Sequence, residues 1–412
     1  MDKERVAAFL YFGYLPREKD VLETKSFIND FKPEDGYRGF SQENDLVEEG
    51  VKLFKSLFKD IQGENHIVPL SGGVDSRAVL GGLLTQINSN KINTVTFGTP
   101  GSLDYQIGNH VAKELGTRHE NIDLSRVELE QEALEKVAES MNSAWTYLFD
   151  AFYNRIICDI YGKTVIYWSG FLGDATGGKH LPAYKSKTWD EAVRFFIYRH
   201  RMVKSMSLLP PDFSPADALS HIPLLKKERL NFDDQLDLIV RQQDYVKPTI
   251  IPENYSYQCP FSSSAWMDFM LSLSDRHGSS ERLYKNILLK SFPVLFTLPC
   301  ASSFRLSLNA SGWRIGYRRY QMRAFTRLQR YFPAWEWGTR AYIKYIDFDK
   351  ALRERKSFKE LVYYNLQDLK KRGLVDWLDL DKMWKRHQRK TKNHADALIL
   401  LAALEINLKV KA

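Results

Sequence analysis

The stretch Asn65–Leu84, NHIVPLSGGVDSRAVLGGLL, decides how the chain is read. Its apolar run His66–Leu70 has the character of a fully buried strand in a parallel sheet. It passes directly into Ser71-Gly72-Gly73-Val74-Asp75-Ser76, then into Val79, Leu80, Leu83 and Leu84 at helical spacing. A strand, a glycine turn and a helix aim backbone N–H groups and a helix N-terminus at an anion. Gly72 and Gly73 permit close backbone approach where a Cβ would clash. Ser71 and Ser76 add hydroxyl donors, and Asp75 is a candidate to hold Mg²⁺ against phosphates. The plainer reading is a turn whose glycines serve geometry alone; the complete S-G-G-x-D-S pattern between strand and helix favours the phosphate reading. This is not a Walker A loop. Gly162-Lys163-Thr164 supplies G-K-T, but Ile157 stands where that motif needs its first glycine, and no G-x-G-x-x-G follows a strand.

Outward from this stretch the pattern alternates. Ile92–Phe97 is a second β-rich run, followed by Gly98-Thr99-Pro100-Gly101-Ser102 and a helix over Asp104–Leu115. A short strand near Glu120–Leu124, helices at about 128–141 and 147–160, and a strand over Thr164–Trp168 come next. Such alternation implies right-handed crossovers, a parallel sheet and an α/β fold. Ligands in these sheets bind at the carboxyl ends of the strands, where the loops 71–76, 98–104 and 169–178 lie. The last, Ser169-Gly170-Phe171-Leu172-Gly173-Asp174-Ala175-Thr176-Gly177-Gly178, reads as a second phosphate-side element with Asp174 facing Asp75. Two carboxylates bracketing a triphosphate suit Mg²⁺, which keeps several waters and needs few protein ligands; a glycine-rich surface loop with a solvated Asp174 is the plainer alternative. Beyond Lys187 the pattern is helical. Thr188 and Glu191 have capping-box spacing for a helix expected to reach about 206, and Pro210, Pro211 and Pro215 mark a loop.

The expected organisation is a lead-in segment at 1–62, a nucleotide-binding α/β domain at 63–185 and a mainly helical region at 186–412. Within the lead-in, Ser41–Lys59 reads as a helix capped by Ser41. A chain of 412 residues with 44% hydrophobic content can bury a large core. Cys158, Cys259 and Cys300 are too few and too dispersed for a disulfide framework or a zinc cluster, which points to a reducing cytoplasm. No run approaches a membrane span, and Met1–Phe12 lacks a signal-peptide core. The net charge of +8, from 59 Lys and Arg against 51 acids, permits anionic partners without demanding them.

The three loops in this order resemble the asparagine synthetase family, specifically its synthetase domain, a member of the PP-loop ATP pyrophosphatases. Ser71–Ser76 is similar to that family's SGGxDS loop. Thr96–Asp104 with Val111-Ala112, Leu115-Gly116-Thr117 and His119 resembles its second block. Ser169-Gly170, Asp174 and Gly177-Gly178 occupy the place of its SGEGxDE block, and Pro260-Phe261 and Leu298-Pro299 resemble its later helical part. The resemblance spans roughly 65–300. It implies ATP with adenine near Leu70 and Phe97, close to the loops that carry Gly98, Ser169 and Gly170. It places the phosphates over Ser71, Gly72, Gly73, Asp75 and Ser76, with Mg²⁺ shared by Asp75 and Asp174. The implied reaction adenylates a carboxylate, releases pyrophosphate and passes the acyl group to ammonia or an amine.

The departures from the family are specific. Phe171 stands at the glutamate of SGEG, and Ala175 follows Asp174 where an acid is usual. Ser307 replaces the lysine of the family's R-x-K, in Arg305-Leu306-Ser307. Loss of such groups commonly costs about 10²–10³ in rate each. The long-form family begins with a cysteine-dependent glutaminase domain. Here Met1-Asp2 begins the sequence and Ala7–Lys19 looks like the segment that joins the two domains, so ammonia is expected from solution or from a partner protein. The expected substrate is a small-molecule or glycan carboxylate. Two alternatives remain beside the ligase: a PP-loop enzyme of RNA modification, and a catalytically impaired nucleotide-binding or scaffold protein.

Arg314, Arg318, Arg319, Arg323, Arg327 and Arg330, with Tyr317 and Tyr320 between them, fall on one expected helix at 313–330. They read as a contact for an anionic polymer or a charged membrane surface, or more simply as a solvated, salt-bridged face. Lys385–Lys392 reads as a second exposed basic stretch, with His387 and His394 at no metal-ligand spacing.

Overall fold

The computed structural model describes residues 1–17, 43–142, 144–223, 230–273, 276–331, 343 and 345–411. Its centre is a wholly parallel sheet of β1 (His66–Pro69), β2 (Ile92–Gly98), β3 (Arg118–Asp123), β4 (Ile166–Trp168) and β5 (Ser256–Gln258). The strand order is β3-β2-β1-β4-β5, with His66 opposite Ile92 on one side and Ile166 on the other. The chain therefore winds outward from β1 in one direction through β3, then crosses back to place β4 on the other side. The reversal puts a switch point between β1 and β4, the place at which open parallel sheets bind their ligands.

Alternate side chains of each strand enter opposite layers, as the two-residue period of a strand requires. Ile67 and Tyr167 join one apolar cluster and Val68 and Trp168 the other. The first layer holds the helices Lys3–Phe12, Gln131–Ser140, Leu148–Tyr161 and Lys356–Arg372 around Ala395–Lys411. That last helix is buried on every side from Ala397 to Leu408, as a helix apolar all round must be. Its Glu405 carboxylate is paired with Arg372 at 2.8 Å. The second layer holds Glu43–Ser56, Asp75–Leu84, Leu103–Leu115, Ser264–Leu271 and Arg276–Ser291. The fold is α/β with a mostly helical carboxyl-terminal region.

Several details depart from the expectations. The edge strand β5 comes from the stretch read as helical, because Ser256–Gln258 is too short to show a period. The helix begun by Thr188 ends at His200 rather than near 206. Arg201 is extended, and the Met202 N–H is drawn to the Tyr11 carbonyl at 2.7 Å, which ties the chain to the first helix. Ser41, read as a helix cap, and the end of the Ala7–Lys19 segment lie outside the described residues. Among the described residues no helix is long and apolar enough to cross a membrane.

Candidate functional site

The turn after β1 folds on itself. The Ser76 Oγ accepts the Ser71 N–H at 3.2 Å and lies 3.1 Å from the Ser71 Oγ. The Ser71 Oγ in turn accepts the Gly73 N–H at 3.1 Å. Gly72 donates to Asp104 Oδ1 at 3.1 Å, and its carbonyl accepts the Ala301 N–H at 2.8 Å. A Cβ on Gly72 would stand 3.0 Å from Asp104 Oδ1, so glycine here serves the approach of two neighbouring loops.

Asp75 opens the helix Asp75–Leu84. Its Oδ1 accepts a 2.6 Å hydrogen bond from the Tyr284 hydroxyl. The loop after β4 crosses directly over it. A Cβ on Gly170 would lie 2.8 Å from Asp75 Cβ, and one on Gly173 would lie 2.6 Å from Asp75 Cγ. Those two glycines let the loop bring Asp174 into hydrogen-bonding reach of Asp75. Burial, reinforced by the Asp174 carboxylate, pushes the Asp75 carboxyl well above the usual carboxylate range, against the pull of Tyr284 and Lys179. Lys179 Nζ meets Asp174 Oδ2 at 2.6 Å. Desolvation pulls this ammonium down, and Asp174 more than offsets it, leaving Lys179 above its ordinary value.

Leu172 gives the loop its turn in a left-handed conformation, φ 68°. It stands at the second glycine of the SGEGxDE pattern, where a branched side chain costs about 1–2 kcal/mol. Phe171 is buried in the second apolar cluster, so the position of the family glutamate is part of the core. The Ser307 hydroxyl donates to Asn309 Oδ1 at 2.6 Å.

The remaining candidates occupy the strand ends. Leu70 is buried, and its carbonyl accepts from Thr96 Oγ1 at 2.7 Å. The Phe97 ring stacks on Tyr345, with centroids 5.4 Å apart. Gly98 has φ 151° at the end of β2. Ser169 donates its N–H to the Gln258 carbonyl of β5 at 2.9 Å, and its Oγ accepts the Phe171 N–H at 3.2 Å. The structure thus brings Ser71–Ser76, Asp75, Asp174 and Gly170 together at the switch point. Leu70 and Phe97 lie at the ends of β1 and β2, in contact with Thr96 and Tyr345.

Sequence reasoning missed Tyr284 and Lys179, and it named Leu298-Pro299 without placing that segment against the turn after β1. Arg77 holds that segment: buried completely, it donates to the Leu298 carbonyl at 3.2 Å and the Pro299 carbonyl at 2.6 Å. The position of Arg77, one residue past the motif, and the Leu298-Pro299 pair were the signals available.

Two adjacent carboxylates, one held high by burial and by its neighbour, are a pair that could hold a divalent cation, and Mg²⁺ needs no third protein ligand when phosphates and water complete its shell. Among the described residues no group of three metal-ligating side chains occurs. Residues 66–158 match the family model of asparagine synthase, so this part of the chain is similar to that family. The match runs from β1 through the helix Leu148–Tyr161 and ends before the loop that carries Asp174. No curated protein matches the chain significantly.

Proposed function

We propose that the chain is an AMP-forming ligase that adenylates a carboxylate and transfers the acyl group to ammonia or an amine. The observation that carries this reading is the meeting of Asp75 and Asp174 over the glycine turn at the β1/β4 switch point. In the first step a carboxylate oxygen attacks the α-phosphorus and the bond to the pyrophosphate oxygen breaks. In the second, an amine nitrogen attacks the acyl carbon, AMP leaves with the bonding pair, and the nitrogen gives up a proton.

The start of the Asp75–Leu84 helix would face the phosphates, and the Ser71, Gly72 and Gly73 N–H groups, which donate to Ser76, Asp104 and Ser71, would exchange those acceptors for phosphate oxygens. Asp75 and Asp174 would hold Mg²⁺, whose charge offsets that gathering on the leaving pyrophosphate. Lys179 adds a cation on the same side. Tyr284 fixes the Asp75 carboxylate, and Arg77 fixes the segment that closes on Gly72. A nucleotide-binding protein that forms no amide is the second reading. It is favoured by Phe171 lying in the core and Ser307 turning to Asn309 where the family carries charged groups.

Calorimetric titration of ATP with Mg²⁺ into wild type and Asp75→Ala tests the site. Pyrophosphate exchange against a panel of small and glycan carboxylates tests the chemistry. Binding lost in Asp75→Ala together with exchange supports the ligase. Binding without exchange for any carboxylate supports the second reading, and no binding by wild type removes both.

A further inference from the structure

The helix Gly312–Tyr331 is 20 residues long, about 30 Å at the usual rise, and it carries no acidic residue. Trp313, Tyr317, Tyr320, Ala324 and Leu328 follow one another at four- and three-residue steps, so they share one face. That face is turned outward: Trp313 is 75% exposed, Tyr317 60%, Tyr320 71% and Leu328 48%. The opposite side carries the buried Met322. Arg314 borders the exposed stripe on one flank, and Arg323 and Arg327 border it on the other. Arg319 lies over the Phe304 ring at 5.4 Å and Arg318 donates to Gln321. Among the described residues none of these arginines pairs with a carboxylate, so the face is not the salt-bridged surface that the plainer reading of the sequence expects.

A lone helix with an aromatic and aliphatic stripe flanked by arginines has the chemistry of an element that lies in a bilayer interface. Trp and Tyr suit the headgroup boundary, since each presents an apolar body and a polar tip. Arginine heads reach phosphate from the flanks of the stripe. Leu328 offers nothing to a nucleobase, and the stripe is convex rather than a cationic groove, which is what a single strand requires. We propose that Gly312–Tyr331 docks this protein on an anionic lipid surface. The helix is linked to the candidate site through Phe304, which lies against Arg319 and follows Ala301, the residue that bonds Gly72, by three positions. The proposal stands independently of the ligase reading.

The test is co-sedimentation of the full chain with phosphatidylcholine vesicles that contain or lack phosphatidylglycerol. Partition into the anionic vesicles alone, weakening as salt shortens the screening length, is expected. Arg323→Gln with Arg327→Gln should lower it about 30-fold, and Trp313→Ser with Tyr320→Ser at least about tenfold. These side chains are exposed, so the far-ultraviolet circular dichroism should not change. The proposal is overturned if wild type ignores anionic vesicles at low salt, or if the folded variants partition as wild type does. Tighter binding to a single-stranded oligonucleotide than to vesicles, lost in the same variants, also overturns it and makes the helix a nucleic-acid surface.

Discussion

The Tyr284 hydroxyl donates to Asp75 Oδ1 at 2.6 Å, joining the helix Arg276–Ser291 to the first residue of the helix that follows β1. Burial and the proximity of Asp75 carry the Tyr284 hydroxyl well above its usual range, so it stays protonated and serves as a donor. The bond settles one oxygen of Asp75, and Lys179 offsets only part of the cost of a buried charge beside Asp174. The protein therefore holds two carboxylates close together at a cost that a bound cation would remove.

The first prediction follows from that cost. Asp75 has a folded pKa raised above its unfolded value, so the folded state binds its proton more tightly. Stability then falls as pH rises from the unfolded pKa through the folded one. Without ligand, Asp75→Asn should melt higher than wild type at neutral pH, and the difference should shrink toward acid. Added Mg²⁺ and ATP should raise the wild-type midpoint and leave that of the variant unchanged. Thermal melts in chelator at neutral and acidic pH measure both effects; a variant less stable than wild type at neutral pH would contradict the argument.

Two glycine substitutions should act in opposite directions. A Cβ at Gly173 would fall 2.6 Å from Asp75 Cγ, and nothing lies within 4 Å of one at Gly316. Gly173→Ala should displace Asp75 and weaken Mg²⁺-dependent ATP binding by at least about tenfold, or roughly 1.4 kcal/mol. Gly316→Ala, in an exposed helix interior, should stabilise by about 0.5–1 kcal/mol. Calorimetry reads the first and urea denaturation the second.

Leu172 sets two terms against each other. Glycine at this position relieves about 1–2 kcal/mol of left-handed strain but removes a side chain that is 4% exposed. Truncating a buried leucine costs about 2–5 kcal/mol. Leu172→Gly should therefore lose up to about 4 kcal/mol by denaturant unfolding. A more stable variant would mean that the leucine contributes little packing.

The sheet was legible because β1, β2 and β4 are runs whose residues are buried on both faces, and because glycine turns sit at their ends. The strand β5 was not, since Ser256–Gln258 has three residues and gains its identity only from pairing with β4. At the candidate site the near-sequence members, Asp75 and Asp174, stood out through glycine-rich context. Tyr284 did not, because a tyrosine in a helical pattern 209 positions away carries no local mark of its partner. The stacking of Tyr345 on Phe97 was not legible either, because Tyr345 comes from a segment without periodic pattern. The Lys385–Lys392 stretch read as exposed throughout; His387 within it is fully buried, because the turn that follows folds His394 back over it.

That burial sets the last prediction. His387 Nδ1 accepts the His394 N–H at 3.3 Å, which leaves the proton of the neutral ring on Nε2. Desolvation, aided by Arg353 and His394 and opposed by Asp349, lowers His387 from 6.5 to about 4. A histidine whose folded pKa lies below its unfolded one stabilises the fold above the unfolded value and loses that contribution as pH falls. Between about pH 7 and about pH 4.5 the wild type should lose on the order of 2–3 kcal/mol more than His387→Gln, whose amide oxygen can still accept the His394 N–H. His200, also lowered by burial and by Arg241, to about 3, remains in both proteins and cancels in the difference. Urea unfolding of the pair at the two pH values measures it, and parallel losses would show that His387 is protonated at no cost in the folded state.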